Sequence, residues 1–427
     1  MQNFISENQL TPPTLLKYLY GNCEEIISYQ SHRYEKLYKR FIELFGSVPV
    51  RYFSTPGRTE ISGNHTDHNH GKVIAASINL DSVACVAKAN SIVKIFSEGY
   101  EEPFIVDLDK LNLIDTEAGT TNALIRGIAS CFVQKGFKVG GFSACIVSDV
   151  LQGSGLSSSA SIEVLIGTIF NYLYNEGRIP PEEIARIGQY AENVYFRKPC
   201  GLMDQIACAV GGIIAIDFYN PKSPITSKIN FKFSDQNYSL IFIHTGGSHI
   251  NLTDDYAAIP KEMKEVAIEF GKEYCAEVEY KTFLENISHL RNKISDRSIL
   301  RGYHFFKEDE RVQNQIDALI TNDFKKFLSL VNDSGNSSFK YLQNIYSSND
   351  PHYQPLSIAL AFTDDFISKN GKGACRVHGG GFEGTIQVFL ENNLVDEFIK
   401  YISNISDVFR VLNLSIRQIG TTEVIIN

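Results

Sequence analysis

The chain has 427 residues, enough for two or three domains, or two large ones, whose cores need no covalent staples. Its 43% apolar and 21% charged residues exclude disordered, collagen-like and coiled-coil compositions. Lys and Arg total 40 against 49 Asp and Glu, so the net charge of −9 gives no electrostatic basis for nucleic-acid binding, and no apolar run nears the roughly 18 to 20 residues of a membrane span.

In chain order, residues 14–46 carry apolar and aromatic side chains at spacings of three and four, as at Leu37, Phe41 and Phe45. This predicts two helices, broken near Gly21 or Ser31 and ended by Gly46 and Pro49. The stretches 72–89, 92–99 and 142–150 read as strands. A Gly/Ser loop follows. After it comes a helix with Ile162, Leu165, Ile166, Ile169, Phe170 and Leu173 on one stripe. Pro180 and Pro181 begin another helix. Residues 211–218 and 238–246 are again strands, and the polar stretch 219–237, with two prolines, reads as a linker. Residues 253–345 read mostly as helix, and 375–390 as two strand-like runs around a glycine cluster. Strands and helices mix without regular βαβ alternation, which predicts an α+β fold.

The cysteines, at 23, 85, 131, 145, 200, 208, 275 and 375, form no C-x-x-C pair, and Cys85, Cys145 and Cys375 lie in apolar runs. The N-terminus shows no basic region followed by an apolar stretch, so a reducing, cytoplasmic setting is expected.

Four segments could carry chemistry. The first runs Gly153-Ser154-Gly155-Leu156-Ser157-Ser158-Ser159-Ala160-Ser161, between a predicted strand and a long helix. Free amides and the helix dipole make such a turn an anion cradle, most naturally for phosphate, and its hydroxyls can meet Mg²⁺. A plain capped helix is the bland alternative. The second, residues 56–71, packs Arg58, Asn64, His65, Asp67, His68, Asn69 and His70 among three glycines. A tight loop of short donors and acceptors suits a sugar. A metal site of His65, Asp67, His68 and His70, or a solvated turn, are the other readings. The third is Asp204 in the segment 200–205, a carboxylate that could accept a hydroxyl proton; Glu192, twelve residues earlier, could help hold a metal. The fourth is His378-Gly379-Gly380-Gly381-Phe382-Glu383-Gly384, where the glycines imply positive φ or close backbone approach.

Together these segments resemble the GHMP small-molecule kinases and, within them, the galactokinases. P-G-R-x-x-x-x-G-x-H-T-D-x-N spans 56–69, G-L-S-S-S-A-S spans 155–161, G-L-M-D-Q spans 201–205, and G-G-G-F-x-G spans 379–384. The resemblance covers roughly residues 36–427. It implies a two-domain GHMP kinase fold with the site in the cleft between domains, and ATP-dependent phosphorylation of a sugar's anomeric hydroxyl. By position it makes Asp204 the base and Arg58 the cation beside it. Ser159 and Glu192 become Mg²⁺ ligands, and the amides from Gly155 through Leu156, Ser157, Ser158 and Ser159 hold the phosphates of ATP. His65, Asp67, Gly201 and Tyr256 face the sugar. The implied domains are a helical extension over 1–34 and kinase domains over 35–228 and 229–427. The partners are then a sugar and ATP, without membrane or nucleic acid, and a monomer is expected.

Three departures stand out. Asn64 occupies the place of a family Glu that receives the C6 hydroxyl, so a donor there would favour a uronic acid or a sugar lacking that arm. The segment around Tyr256 lacks the basic residues that usually follow, having Ala257-Ala258-Ile259-Pro260. Glu383 replaces a glycine. The primary reading is a galactokinase. A kinase for galacturonate or a pentose, and a catalytically silent sugar and nucleotide sensor, are the alternatives.

Overall fold

The computed structural model describes residues 12–150, 155–246, 252–371, 373–382 and 384–425. Helices α1 (Pro12–Tyr20) and α2 (Glu24–Phe45) open the chain, broken at Gly21, whose φ of 91° suits glycine. Strands β1 (Arg51–Ser62), β2 (Lys72–Lys88), β3 (Ile92–Ser97) and β4 (Phe104–Asp107) lead to α3 (Thr121–Gln134), β5 (Phe142–Ser148), α4 (Ser158–Tyr174), α5 (Pro181–Tyr190) and α6 (Met203–Val210). Next come β6 (Ile213–Asp217), β7 (Ile225–Ile229) and β8 (Tyr238–His244). A helical stretch comes after them, with α7 (Thr253–Glu269), α8 (Tyr280–Glu285), α9 (Ile287–Leu290), α10 (Asp296–Ile320), α11 (Phe324–Ser337) and α12 (Pro355–Asn370). Strands β9 (Gly373–His378) and β10 (Thr385–Glu391), helix α13 (Val395–Ile405) and strands β11 (Arg410–Leu414) and β12 (Thr422–Val424) complete it. The mixture is the α+β arrangement read from the sequence.

One sheet has the order β12-β1-β2-β5-β3-β4, with β6 on the first half of β2 and β7 beyond it; the other has the order β11-β8-β10-β9. Strand β2 is 17 residues long because its two halves have different partners: Lys72–Ala76 pairs with β6 and Ser82–Lys88 with β5. Its near-continuous apolar run follows from cover on both faces. Val73, Ala75, Ala84 and Val86 join the core under α3–α6, whereas Ile74 and Ala76 face the core shared with the second sheet and α10–α11. Val83 and Cys85 pack under Leu15, Leu19 and Phe41 of the two N-terminal helices. Period-two alternation thus distributes one strand among three cores.

Two expectations fail in detail. Residues 56–71 do not form one loop: 56–62 continue β1, and only the remainder turns. Thr59, Glu60 and Ser62 are buried like their apolar neighbours, so polarity hides the strand. The stretch 219–237 contains β7, an edge strand paired only to β6 and mostly solvated, which explains its linker-like composition. Helix α2 runs through residues 34 and 35, and β12 returns from the C-terminal region to pair with β1.

The N-terminal helices and the segment around Arg417 meet at Asp81, which is fully buried. Its carboxylate accepts from Arg33 Nη1 at 2.6 Å, Tyr20 Oη at 2.6 Å and Arg417 Nη1 at 3.0 Å, and from the Ser54 hydroxyl. Burial pushes this carboxyl up, but Arg33 and Arg417 outweigh it and hold it below the ordinary carboxylate range. Burial likewise opposes ionisation of Glu308, which Arg311, His304 and Arg376 hold at about 2. Groups depressed in this way stabilise the fold above their unfolded value, about 4, and the contribution is lost as pH falls through the folded value. The urea midpoint should therefore fall as pH is lowered from about 5 to about 3. Asp81→Asn, which removes the buried carboxylate shared by Arg33 and Arg417, should cost about 3–5 kcal/mol at neutral pH and flatten part of that decline, as read by urea unfolding across pH.

Candidate active site

Strand β1 delivers Arg58 to the site, and a close approach fixes where. The Arg58 amide donates to the Leu156 carbonyl at 3.1 Å, and a methyl on Gly57 would sit 2.8 Å from that oxygen. Glycine is thus required where the Ser-rich turn lies on the strand. The Arg58 guanidinium then forks onto Asp204, Nε to Oδ1 at 2.6 Å and Nη2 to Oδ2 at 2.7 Å, while Nη1 donates to the Gly155 carbonyl. The fork is bidentate and charge-assisted.

Asp204 is in the first turn of α6, where the helix dipole favours an anion. Its side chain is 33% exposed, against 10% for Arg58, so the carboxylate keeps one open side. It also accepts from the Ser157 hydroxyl. Burial pushes the Asp204 carboxyl up; the charge and hydrogen bonds of Arg58, the Ser157 bond and the more distant Lys198 prevail and hold it below its ordinary value. It is therefore ionised at neutral pH.

Ser157 adopts φ 60° and ψ 57°, and its side chain caps none of the α4 amides. Ser157, Ser158 and Ser159 instead line a cavity of about 960 Å³ together with Arg58, Gly155, Glu192, Lys198 and Asp204. Ile95, Tyr100, Phe104, Leu124, Ile146 and Phe196 line it as well. A cavity lined by both charged and apolar side chains suits a nucleoside triphosphate. Gly153 lies outside the described residues, as does Glu383.

The metal expectation rests on Ser159 and Glu192. Both line this cavity, and Glu192 is 3% exposed with its carboxylate pinned: Gln205 Nε2 donates to Oε2 at 3.0 Å and Lys198 Nζ lies 3.2 Å from Oε1. A hydroxyl and a carboxylate are the hard oxygen donors Mg²⁺ takes when phosphates and water complete its shell. Among the described residues no group of three or more His, Cys, Asp or Glu side chains could hold a metal by itself. The histidine-rich turn accordingly does other work. His65 Nε2 meets the Gly380 carbonyl at 3.0 Å, and His70 stacks on Tyr274 at 3.5 Å between ring centres.

The remaining expected residues gather about Gly201 and the Gly379–Gly381 turn. A methyl on Gly201 would lie 3.0 Å from Asp67 Oδ2, so these two adjoin. Tyr256 donates to the Gly381 carbonyl at 3.0 Å and lies so close to Gly380 that a methyl there would be 2.3 Å from its ring. His65 and Tyr256 therefore share the Gly379–Gly381 turn. Burial, the largest effect, lowers the His65 imidazole to about 4, so it is neutral at pH 7.

Asn64 is in this corner but fully buried, with both side-chain atoms engaged. Its Nδ2 donates to the Gly379 carbonyl at 2.7 Å and to Glu60 Oε1 at 3.2 Å; its Oδ1 accepts from Asn344 Nδ2 at 2.9 Å and Ser338 Oγ at 3.1 Å. Sequence reading missed Glu60, which Arg376 also pairs at 2.5 Å. It missed Glu163 too, whose Oε2 accepts from the same Gln205 Nε2 at 3.0 Å. Burial and the neighbouring Glu192 push the Glu163 carboxyl well up. Glu60 sits inside the 56–69 motif and Glu163 two residues past the serine motif, but neither position reveals its partner.

Known proteins resemble the chain in both sequence and fold. The GHMP kinases N terminal domain matches residues 123–212, and the galactokinase galactose-binding signature matches 39–88. A galactokinase of Clostridium tetani (strain Massachusetts / E88) is 28% identical over 377 residues, 86% of this chain and 91% of that protein. One of Glaesserella parasuis serovar 5 (strain SH0165) is 29% identical over 368 residues, 85% and 91%. The crystal structure of Lactococcus lactis galactokinase complexed with galactose superposes with a TM-score of 0.77 at 23% identity, covering 92% of this chain and 99% of that one. A mevalonate kinase superposes at 0.61 with 17% identity, covering 86% and 98%. The chain thus has the GHMP kinase fold, and its sequence resembles the galactokinases along most of its length.

Proposed function

We propose that this chain is an ATP-dependent sugar kinase of the galactokinase type, converting galactose to galactose 1-phosphate. The observation that carries this reading is the Arg58–Asp204 fork, which lines a cavity of about 960 Å³ together with Ser157, Ser158 and Ser159.

In this reading the amides of residues 155–159 and the N-terminus of α4 hold the phosphates of ATP. Ser159 and Glu192 would hold Mg²⁺, which when bound would supply positive charge against the phosphate chain. His65, Asp67 and Gly201 orient the sugar so that its anomeric hydroxyl faces Asp204. The hydroxyl oxygen forms a bond to the γ-phosphorus, the bond from that phosphorus to the β–γ bridging oxygen breaks, and ADP leaves. Asp204, held low by Arg58, takes the hydroxyl proton as the new bond forms and the hydroxyl becomes more acidic. Arg58 keeps the carboxylate aimed and stabilises charge on the transferred group. Asn64 bears on the choice of sugar. An amide donor presented to C6 was the reason to consider galacturonate or a pentose, yet that amide is committed to Glu60 and the Gly379 carbonyl. This removes the reason to prefer those sugars over a neutral hexose. The intact base and cation support an enzyme over a silent sensor.

The test is ATP turnover with galactose, galacturonate and arabinose. Galactose should be the best substrate, and its failure to turn over would contradict the reading. In the same assay Asp204→Asn should lower kcat on the order of 10²-fold or more while nucleotide still binds. Asn64→Glu alone would set a second carboxylate against Glu60 and remove the donor to Gly379. It should lower the melting temperature and raise KM for the sugar, at a cost of about 1–3 kcal/mol. Thermal melts and sugar KM values would measure both losses.

A further inference from the structure

Lys198 lies outside the four sequence motifs, yet it lines the same cavity as Ser157, Ser158, Ser159 and Asp204. Its placement is fixed by the backbone. The π-turn Ala191–Phe196 ends at Arg197, whose φ of 65° reverses the chain, and the Lys198 amide donates to the Glu192 carbonyl at 3.1 Å. Pro199, the next residue, stiffens the backbone on the other side. The side chain returns to the same residue, with Nζ 3.2 Å from Glu192 Oε1.

The two cations of this cleft differ in freedom. Arg58 is committed, with Nε, Nη1 and Nη2 all donating to Asp204 or Gly155. Lys198 is 61% exposed on a flexible four-carbon stem, whereas its partner Glu192 is 4% exposed and held from the other side by Gln205. The carboxylate is a fixed post and the ammonium a movable charge. A nucleotide would bring several anionic oxygens to the turn at Ser157–Ser159, within the same cavity. If Glu192 Oε1 turns to a metal, the ammonium must find another anion.

We propose that Lys198 is a phosphate-contacting residue of the nucleotide site, resting on Glu192 and passing to the phosphate oxygens of the nucleotide when it binds. This rests on the kinase reading above. Lys198 thereby covers the Glu192 carboxylate before metal arrives and adds a positive charge to the phosphate chain afterwards.

Calorimetric titration of ADP and ATP into the full chain, first with chelator and then with Mg²⁺, tests this. Lys198→Met should weaken metal-free nucleotide binding by about tenfold or more, the loss of one charge-assisted contact, while Lys198→Arg retains most of it. The KM for sugar should not move. Glu192→Gln releases the ammonium and should tighten metal-free binding several-fold, and this gain should shrink when Lys198 is Met, because the two residues are coupled. Equal metal-free affinity in wild type and Lys198→Met, or a Glu192→Gln gain of the same size in both backgrounds, would overturn the role of Lys198. Sugar turnover with unchanged Lys198→Met affinity would sink this inference and spare the kinase. The predicted affinity changes with no sugar phosphorylated would do the reverse. Wild type that binds no nucleotide would overturn both.

Discussion

A bidentate ion pair organises the site. The Arg58–Asp204 fork joins strand β1, the first turn of α6 and, through the Gly155 carbonyl, the Ser-rich turn that opens α4. Taking both charges out of water is costly, and the cost is offset only if each group finds further partners. Here Asp204 gains the Ser157 hydroxyl and the α6 terminus, and Arg58 gains a carbonyl. Asp204 stays part-exposed on one side, which is the side that substrate can approach. One interaction thus sets the ionisation and direction of the Asp204 carboxylate and the position of the Ser-rich turn.

The scaffold makes that placement rigid. Strand β1 lies between β2 and β12 in the first sheet, with helices of one core on one face and the second sheet's core on the other. Gly57 lets the turn lie directly on the strand, and Gly380 lets the ring of Tyr256 lie on the glycine turn. At Asp81 the N-terminal helices, β1 and the C-terminal segment are tied by one buried carboxylate. The two N-terminal helices are therefore an integral layer, covering Val83, Cys85 and Cys145. No helix among the described residues is long and apolar enough to cross a membrane.

Much of this was legible in the sequence, for identifiable reasons. Strands β2, β5 and β8 and helix α4 announce themselves because burial on a fixed face leaves a period. Helix α3 does not, because Ala123 to Phe132 are buried all round and no polar stripe remains. Strand β1 is masked by Thr59, Glu60 and Ser62, polar residues whose partners come from other parts of the chain. The glycine and serine motifs are readable because backbone geometry forces those residue types. The roles of Glu60, Glu163 and Lys198 are not, because each depends on a partner apart from it in sequence: Arg376, Gln205 and Glu192. Asn64 shows the same limit. Its identity suggested an altered substrate contact, whereas its surroundings engage it within the framework.

A crystal structure of the chain with galactose and a non-hydrolysable ATP analogue measures the central arrangement directly. The account predicts the sugar's anomeric oxygen within about 3 Å of an Asp204 carboxylate oxygen and facing the terminal phosphorus, with the phosphates on the Ser157–Ser159 turn. A sugar whose anomeric oxygen lies away from Asp204, or a phosphate chain seated elsewhere, would contradict it.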